Sequence, residues 1–260
     1  MRPMFALLAV SMTLGCAAST KPVWEHELVD LTHTFDEHTI YWPTESGFEL
    51  TTRAKGMTPG GYYYEAHGIA TPEHGGTHLD APIHFYEGGA TTDRVPLDRL
   101  IAPGIVVDVR EVCASDRDHR VGVADLEAWE RAHGRVPEGA IVLLHTGFGR
   151  YWPDRERYMG TALRGEAGAA ALHFPGLDPA AVPWLADRRI AAIGLDTPSI
   201  DHGPSTHFEA HVALFALDIP AFENVAHLDR LPAKGFTVIA LPMKIGGGSG
   251  GPLRIVAAIP

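Results

Sequence analysis

Apolar and polar positions along the chain fall into recognisable periods over some stretches and into none over others. Continuous aliphatic and β-branched runs predict buried strands over Ile105–Val109, Ala140–Leu144, Ile190–Leu195 and Phe236–Leu241, with a further strand over Val95–Leu100. Helices are predicted over Val123–Ala132, Pro179–Asp187 and Phe208–Leu217. Strands interleaved with helices argue for an α/β fold. Two stretches obey neither period: Tyr41 to Glu65, rich in aromatic residues and glycine, and Tyr151 to Gly176. Loops of that length in a compact domain usually carry function, so both are expected to wall a pocket. No internal repeat and no low-complexity linker interrupts residues 21–260, which read as one domain.

Residues 1–20 stand apart. Arg2 is followed by an apolar run from Phe5 to Leu14 and then by Gly15, Cys16, Ala17, Ala18 and Ser19. About ten apolar residues are too few to span a bilayer but suit the core of a secretory signal peptide. The chain is therefore expected to be exported. Cys16 after Gly15 also resembles the acceptor of a bacterial lipoprotein signal, although Thr13 stands where that pattern prefers leucine. The expected location is periplasmic or lipid-anchored at the cell envelope, with membrane attachment only through a lipidated Cys16. Once Cys16 is removed or lipidated, Cys113 has no partner for an intramolecular disulfide.

Composition narrows the classes. At 260 residues with 45% hydrophobic and 20% charged positions, the chain can bury a sizeable core. Its 32 acidic residues against 21 Lys and Arg, with no basic block, remove the attraction that nucleic-acid binding depends on. Fifteen histidines are the unusual feature, and where they cluster is informative.

They cluster in His74-Gly-Gly-Thr-His78-Leu-Asp80-Ala-Pro-Ile-His84. Three imidazoles and a carboxylate in eleven residues supply the ligand chemistry of a divalent transition metal such as zinc or manganese. All four positions are even, so a strand would aim them to one face, whereas on a helix Asp80 would lie about 120° from His74. A fully extended strand would nevertheless separate His74 from His84 by roughly 33 Å, so the segment must bend. Gly75 and Gly76 supply the permissive backbone, and Pro82 ends any regular ladder. A histidine-rich surface loop would not need apolar Leu79, Ile83 and Phe85 in alternation. Carboxylate without cysteine favours an open catalytic site over a closed structural one.

This segment resembles the signature of the cyclase family of metal-dependent hydrolases, His-x-Gly-Thr-His-x-Asp-x-x-x-His, which includes bacterial kynurenine formamidases (arylformamidases) and isatin hydrolases. The resemblance extends through Asp196-Thr-Pro-Ser-Ile-Asp201, His211, Glu223-Asn224-Val225 and Gly251-Pro252-Leu253-Arg254. It implies that His74, His78 and Asp80 are metal ligands and that His211 and Glu223 complete a second metal position, one or two Mn2+ or Zn2+ ions in all. It implies His84 as catalytic acid and base, Trp42 of Tyr41-Trp42-Pro43 against an aromatic substrate, and the glycine-rich Gly246–Gly251 along the site. The implied fold is a layered β/β/α swivelling domain with a small barrel-like sheet, and the implied assembly a homodimer.

The later residues also carry a reading of their own. Glu223 sits in apolar surroundings and needs a cation or a hydrogen-bonded partner. Asp196 and Asp201 follow an apolar strand, at the carboxyl end where α/β proteins place sites, and are expected to orient ligand histidines. His207 and His211, four apart, could share a helix face. Phe48 and Tyr62–Tyr64 are expected to add to the pocket. No Gly-x-Ser-x-Gly elbow, Walker loop or His-Glu-x-x-His motif competes. The expected reaction is hydrolysis of a carbonyl–nitrogen bond in a small aromatic amide by a metal-bound hydroxide, with His84 moving the proton to the leaving nitrogen. The substrate is a cyclic amide such as isatin or an N-formyl anilide such as N-formylkynurenine. Export fits poorly with cytoplasmic tryptophan breakdown. Lactonase, cyclase or dehydratase chemistry on the same metals, and a non-catalytic exported metal-binding lipoprotein, are the alternatives.

Overall fold

The computed structural model describes residues 22–260; the signal-like segment 1–20, with Cys16, lies outside the described residues. Its strands are β1 (Glu27–Asp30), β2 (Glu49–Met57), β3 (Tyr63–Ala70), β4 (His78–Asp80), β5 (Ile101–Asp108) and β6 (Arg120–Val121). They continue with β7 (Ile141–His145), β8 (Gly176–Leu177), β9 (Ala192–Leu195), β10 (Ala221–Glu223), β11 (Lys234–Pro242) and β12 (Gly250–Ile259). The main sheet runs β1-β12-β11-β5-β7-β9-β10-β4, and β4 also pairs with β12. That last pairing closes seven strands into a barrel, leaving β1 appended outside the ring. Strands β5, β7, β9 and β10 run parallel, and the remaining barrel pairings are antiparallel.

Strand alternation divides the apolar residues between two cores. Val106, Ile141, Leu143, Ala192, Phe222, Leu79, Phe236, Val238, Leu253 and Ile255 come from one face of all seven strands and fill the barrel. Gly104 leaves room for the Phe236 ring, which a Cβ there would meet at 2.1 Å. The alternate residues Ile105, Val107, Val142, Leu144, Ile193 and Leu195 form the second core. Helices Val123–His133, Val182–Asp187 and Glu209–Phe215 cover that outer face with Leu126, Trp129, Leu185, Leu214 and Phe215. The α/β expectation, the single domain and the barrel-like sheet all match this architecture.

The predicted strands near residues 105, 141, 192 and 236 and the three predicted helices are present with shifted ends. Val95–Leu100 is not a strand. Pro96 precedes a single helical turn at Leu97–Leu100, because proline cannot donate to a ladder and its fixed φ suits a helix start. Tyr41–Glu65 is a loop followed by one arm and part of the other of a two-stranded ribbon, β2 with β3, exposed on both faces. Tyr151–Gly176 holds two short helices, Arg155–Met159 and Gly165–Ala169, and buries Tyr158, Met159, Leu172 and Phe174. The two stretches meet where Arg155 donates to the Tyr41 carbonyl at 3.0 Å and Gly165 donates to the Pro43 carbonyl at 2.8 Å.

Candidate active site

Strand β4 lies between β10 and β12, in a register that sets His78 opposite Glu223 and Asp80 opposite Ala221. Leu79 and Phe222 point into the barrel, so the period of two sends His78, Asp80 and Glu223 to the outer face. Helix Glu209–Phe215 packs over that face and brings His211 against them. His74 reaches the same point because the chain turns sharply at Gly75 (φ 150°) and Gly76 (φ 58°). A side chain at Gly75 would collide with the Tyr41 ring at 2.0 Å. The predicted bend and its glycines are thus as observed.

Donor atoms of His74, His78 and Asp80, and of Asp80, His211 and Glu223, lie within 4.8 Å of one another, with Asp80 common to both groups. The outer nitrogens of two of these imidazoles are committed. His78 Nδ1 donates to the Gly76 carbonyl at 2.9 Å, and His211 Nδ1 donates to Asp201 at 2.6 Å. Each therefore turns Nε2 inward. His211 Nε2 is 3.2 Å from Asp80 and 3.1 Å from Glu223. His78 Nε2 is buried 3.0 Å from Asp80 and 3.5 Å from Glu223, off the line of any hydrogen bond to them. A buried, unpartnered nitrogen facing two buried carboxylates is what a cation site requires, and imidazole with carboxylate suits a divalent transition metal.

The electrostatics agree. Burial opposes charge on His78, yet Asp80 and Glu223 push its imidazole up to about 9. Burial likewise opposes charge on His211, and Asp201, Asp80 and Glu223 hold it well above the usual histidine range. Burial and the Asp80 charge raise the Glu223 carboxyl. The carboxylates and the imidazoles they hold protonated thus face one another at short range, a set whose protons a divalent cation could replace.

Above it is a cavity of about 220 Å³, lined on one side by the donor residues and on the other by Trp42, Phe85, Phe208 and Ile40. His84 lines it too, stacked on His74 with ring centroids 3.7 Å apart. No hydrogen bond among the described residues engages its ring nitrogens, and burial lowers its imidazole to about 4, so it is neutral near pH 7. Phe208 tilts toward Trp42 at 6.1 Å and Phe85 at 5.1 Å, making a continuous aromatic wall.

The structure thus brings together His74, His78, Asp80, His84, His211, Glu223 and Trp42, with Asp201 behind His211. Asp196 is elsewhere in role: it accepts from Thr146 N and Oγ1, Gly147 N and Gly149 N, anchoring the loop after β7, and orients no ligand histidine. It directly follows β9, and both its oxygens accept from the loop after β7. His207 precedes the helix and is exposed, so it shares no face with His211. Tyr62, Tyr63 and Tyr64 are exposed on or beside the ribbon, and Phe48 packs on Phe35, so none of the four joins the pocket. Sequence reasoning missed Phe85 and Phe208 as wall residues. It also missed Asn224, whose amide donates to the Gly76 carbonyl at 2.7 Å and accepts from the Tyr158 hydroxyl at 2.9 Å. The adjacency of Asn224 to Glu223 was the available signal.

The family profile described as "Putative cyclase" matches residues 29–202. The chain belongs to the cyclase family. It is 33% identical over 196 residues to the isatin hydrolase of Roseibium aggregatum, covering 72% of each chain. It is 30% identical over 233 residues to the kynurenine formamidase of Salinibacter ruber, covering 88% of this chain and 96% of the relative. A crystal structure of an isatin hydrolase bound to the product analogue thioisatinate superposes with a TM-score of 0.80 at 29% identity, covering 91% of this chain and 94% of that one. These cyclase-family relatives are hydrolases, and this chain is an enzyme of the same kind with residues able to hold metal.

Proposed function

We propose that this cyclase-family enzyme hydrolyses the carbonyl–nitrogen bond of small aromatic amides, with a neutral cyclic amide such as isatin preferred over the zwitterion N-formylkynurenine. The observation that carries this reading is the cavity, which sets a metal-donor wall, an aromatic wall and the unbonded nitrogens of His84 around one small space. At about 220 Å³ it is smaller than the roughly 300–1,000 Å³ of pockets for larger ligands, so a one- or two-ring guest fits. No lysine or arginine among the described residues lines it, while Glu45 does, so a substrate carboxylate would find no counter-charge from the protein at the mouth. That favours an uncharged guest.

His74, His78, Asp80, His211 and Glu223 would hold one or two divalent ions, Mn2+ or Zn2+ by donor type. When bound, such an ion supplies Lewis acidity, which polarises the scissile carbonyl and makes water a competent nucleophile near neutral pH. Trp42, Phe85 and Phe208 clamp the aromatic ring and exclude bulk water. His84, neutral and held by its stack on His74, takes the proton from the attacking water and delivers it to the leaving nitrogen. An anilide-type nitrogen leaves more easily than an alkyl amine, which suits the aromatic wall.

The test is turnover of isatin and N-formylkynurenine, side by side, after chelation and after adding back Mn2+ or Zn2+. Metal-restored hydrolysis with isatin the better substrate is expected. His84→Asn should keep metal and lose at least about 100-fold in turnover, the usual worth of a positioned acid–base group. Bound metal without turnover of either amide, or turnover of lactones alone, would overturn the amide reading. We further propose that the enzyme works outside the cytoplasm, on the strength of the signal-like segment ending near Cys16. Cell fractionation of wild type and Cys16→Ser tests this: both in the cytosol would refute export, and identical soluble periplasmic distribution would refute lipidation.

A further inference from the structure

The glycine-rich segment before β12 lies flush behind His74. Cβ atoms at Gly248 and Gly250 would meet Glu73 Oε1 at 2.6 Å and His74 Cε1 at 2.5 Å, so only glycine permits this approach. Between those glycines, Ser249 sits against both side chains. Its hydroxyl donates to Glu73 Oε2 at 2.6 Å, its backbone N–H donates to the same oxygen at 3.0 Å, and its Oγ is 2.9 Å from His74 Nε2. The segment itself is pinned. Thr92 Oγ1 donates to the carbonyls of Gly248 and Gly250, Gly247 N–H donates to Asp93, and Ala81 N–H donates to the Ser249 carbonyl.

A serine hydroxyl has one proton, and a carboxylate can only accept. With that proton given to Glu73, the Ser249 oxygen must accept from His74, so His74 carries its proton on Nε2. Its Nδ1 donates a second ring proton to Asp80 Oδ1 at 2.6 Å, and a metal ion shared with Asp80 would displace that proton and take the nitrogen lone pair. We propose that Glu73 and Ser249 are positioning residues that fix His74 in the Nε2–H tautomer and so make Nδ1 its metal-donor atom. His78 and His211 are fixed in the opposite sense, through Gly76 and Asp201, with Nε2 inward. The centre therefore draws on one Nδ1 and two Nε2 donors, each set by the hydrogen bond on the other side of the ring. This rests on the metal-site reading above but not on the identity of the substrate.

The experiment uses the purified protein with 15N-labelled histidine, loaded with Zn2+, and reads ring tautomers from long-range 15N–1H correlation spectra, with assignment by His74→Gln. His74 is expected as Nε2–H with Nδ1 shifted by metal, and His78 and His211 as Nδ1–H. Ser249→Ala and Glu73→Gln should mix the His74 tautomers and weaken Zn2+ binding by about 10–100-fold in a chelator competition, leaving the His78 and His211 signals in place. The double variant should be no weaker than the weaker single, because both act through one chain of bonds. Ser249→Thr, which keeps the hydroxyl, should restore most of the affinity. His74 found as Nδ1–H in the wild type, Zn2+ affinity within twofold of wild type in both single variants, or losses that simply add would each overturn the relay. Intact tautomers and tight Zn2+ without amide turnover would instead sink the amide reading and leave the relay standing.

Discussion

An imidazole packed against other rings behaves differently from those in the His/Asp/Glu donor cluster, and His33 is the example. It stacks on Trp152 at 4.2 Å and faces His227 at 6.4 Å, and its Nε2 is buried with no partner. Burial, then the neighbouring His227, lowers its imidazole to about 4. The unfolded chain binds a proton near pH 6.5 that the folded chain refuses, so stability is intact above pH 6.5 and is lost as pH falls toward 4. The full loss is about 3 kcal/mol. His33→Phe keeps the stack and removes the titration, so its urea midpoint should fall less than that of wild type between pH 6.5 and 4. Parallel curves would refute the assignment. At this scale the sequence is readable where chemistry is dense: His74, His78, Asp80, His211 and Glu223 converge as their residue types require. Asp196 is misread because position after a strand does not reveal which N–H groups will claim its oxygens. Phe85 and Phe208 are invisible as wall residues because an aromatic facing a cavity has the same letter as one facing the core.

The element that makes the site is the turn at Gly75–Gly76, which converts a short run of chain into a cluster. Gly76 does three things there. Its N–H bonds the Ile40 carbonyl at 3.0 Å, its carbonyl fixes His78 Nδ1 and accepts from Asn224, and its φ of 58° excludes most side chains. An added Cβ would meet the Phe35 ring at 2.5 Å. Gly76→Ala combines that overpacking with left-handed backbone strain, and should cost about 2–4 kcal/mol in urea unfolding together with weakened metal binding. Gly47→Ala, which meets nothing within 4 Å, is the control and should be near neutral. Equal effects of the two substitutions would show that the turn tolerates a side chain. The bend is legible from the spacing alone, because four ligand-type residues over eleven positions cannot meet on an extended chain. The partners of β4 are not: three residues between two ladders carry no local period, and their pairing is decided by β10 and β12, more than 130 residues onward.

Across the whole molecule, the legible strands are β5, β7 and β9, whose largely buried runs read as aliphatic stretches, and β11, where buried Phe236, Val238 and Ala240 alternate with less buried neighbours. The β2–β3 ribbon escapes detection for the converse reason: with both faces exposed, nothing imposes alternation. Leu50, Met57, Tyr62, Tyr63, Tyr64 and Ile69 are each at least half exposed there, and Leu50 pairs directly across from Ile69. A lone two-stranded ribbon is marginal in water, and exposed apolar pairs toward its two ends, Leu50 with Ile69 and Met57 with Tyr63, are candidates for cover by a partner. We propose that a second copy of the chain, joined about a two-fold axis, supplies that cover, as a homodimer would. The ribbon springs from the pocket wall, since Thr71, just after β3, bonds the Tyr41 hydroxyl at 2.7 Å. Covering the ribbon would therefore also stiffen the face that holds the substrate ring. Light scattering on an eluting column should give the mass of two chains for the wild type and of one chain for Leu50→Lys/Ile69→Lys, with KM for the amide raised more than kcat is lowered. A wild type that elutes as one chain at tens of micromolar, or a double variant that still pairs, would move the interface elsewhere or remove it.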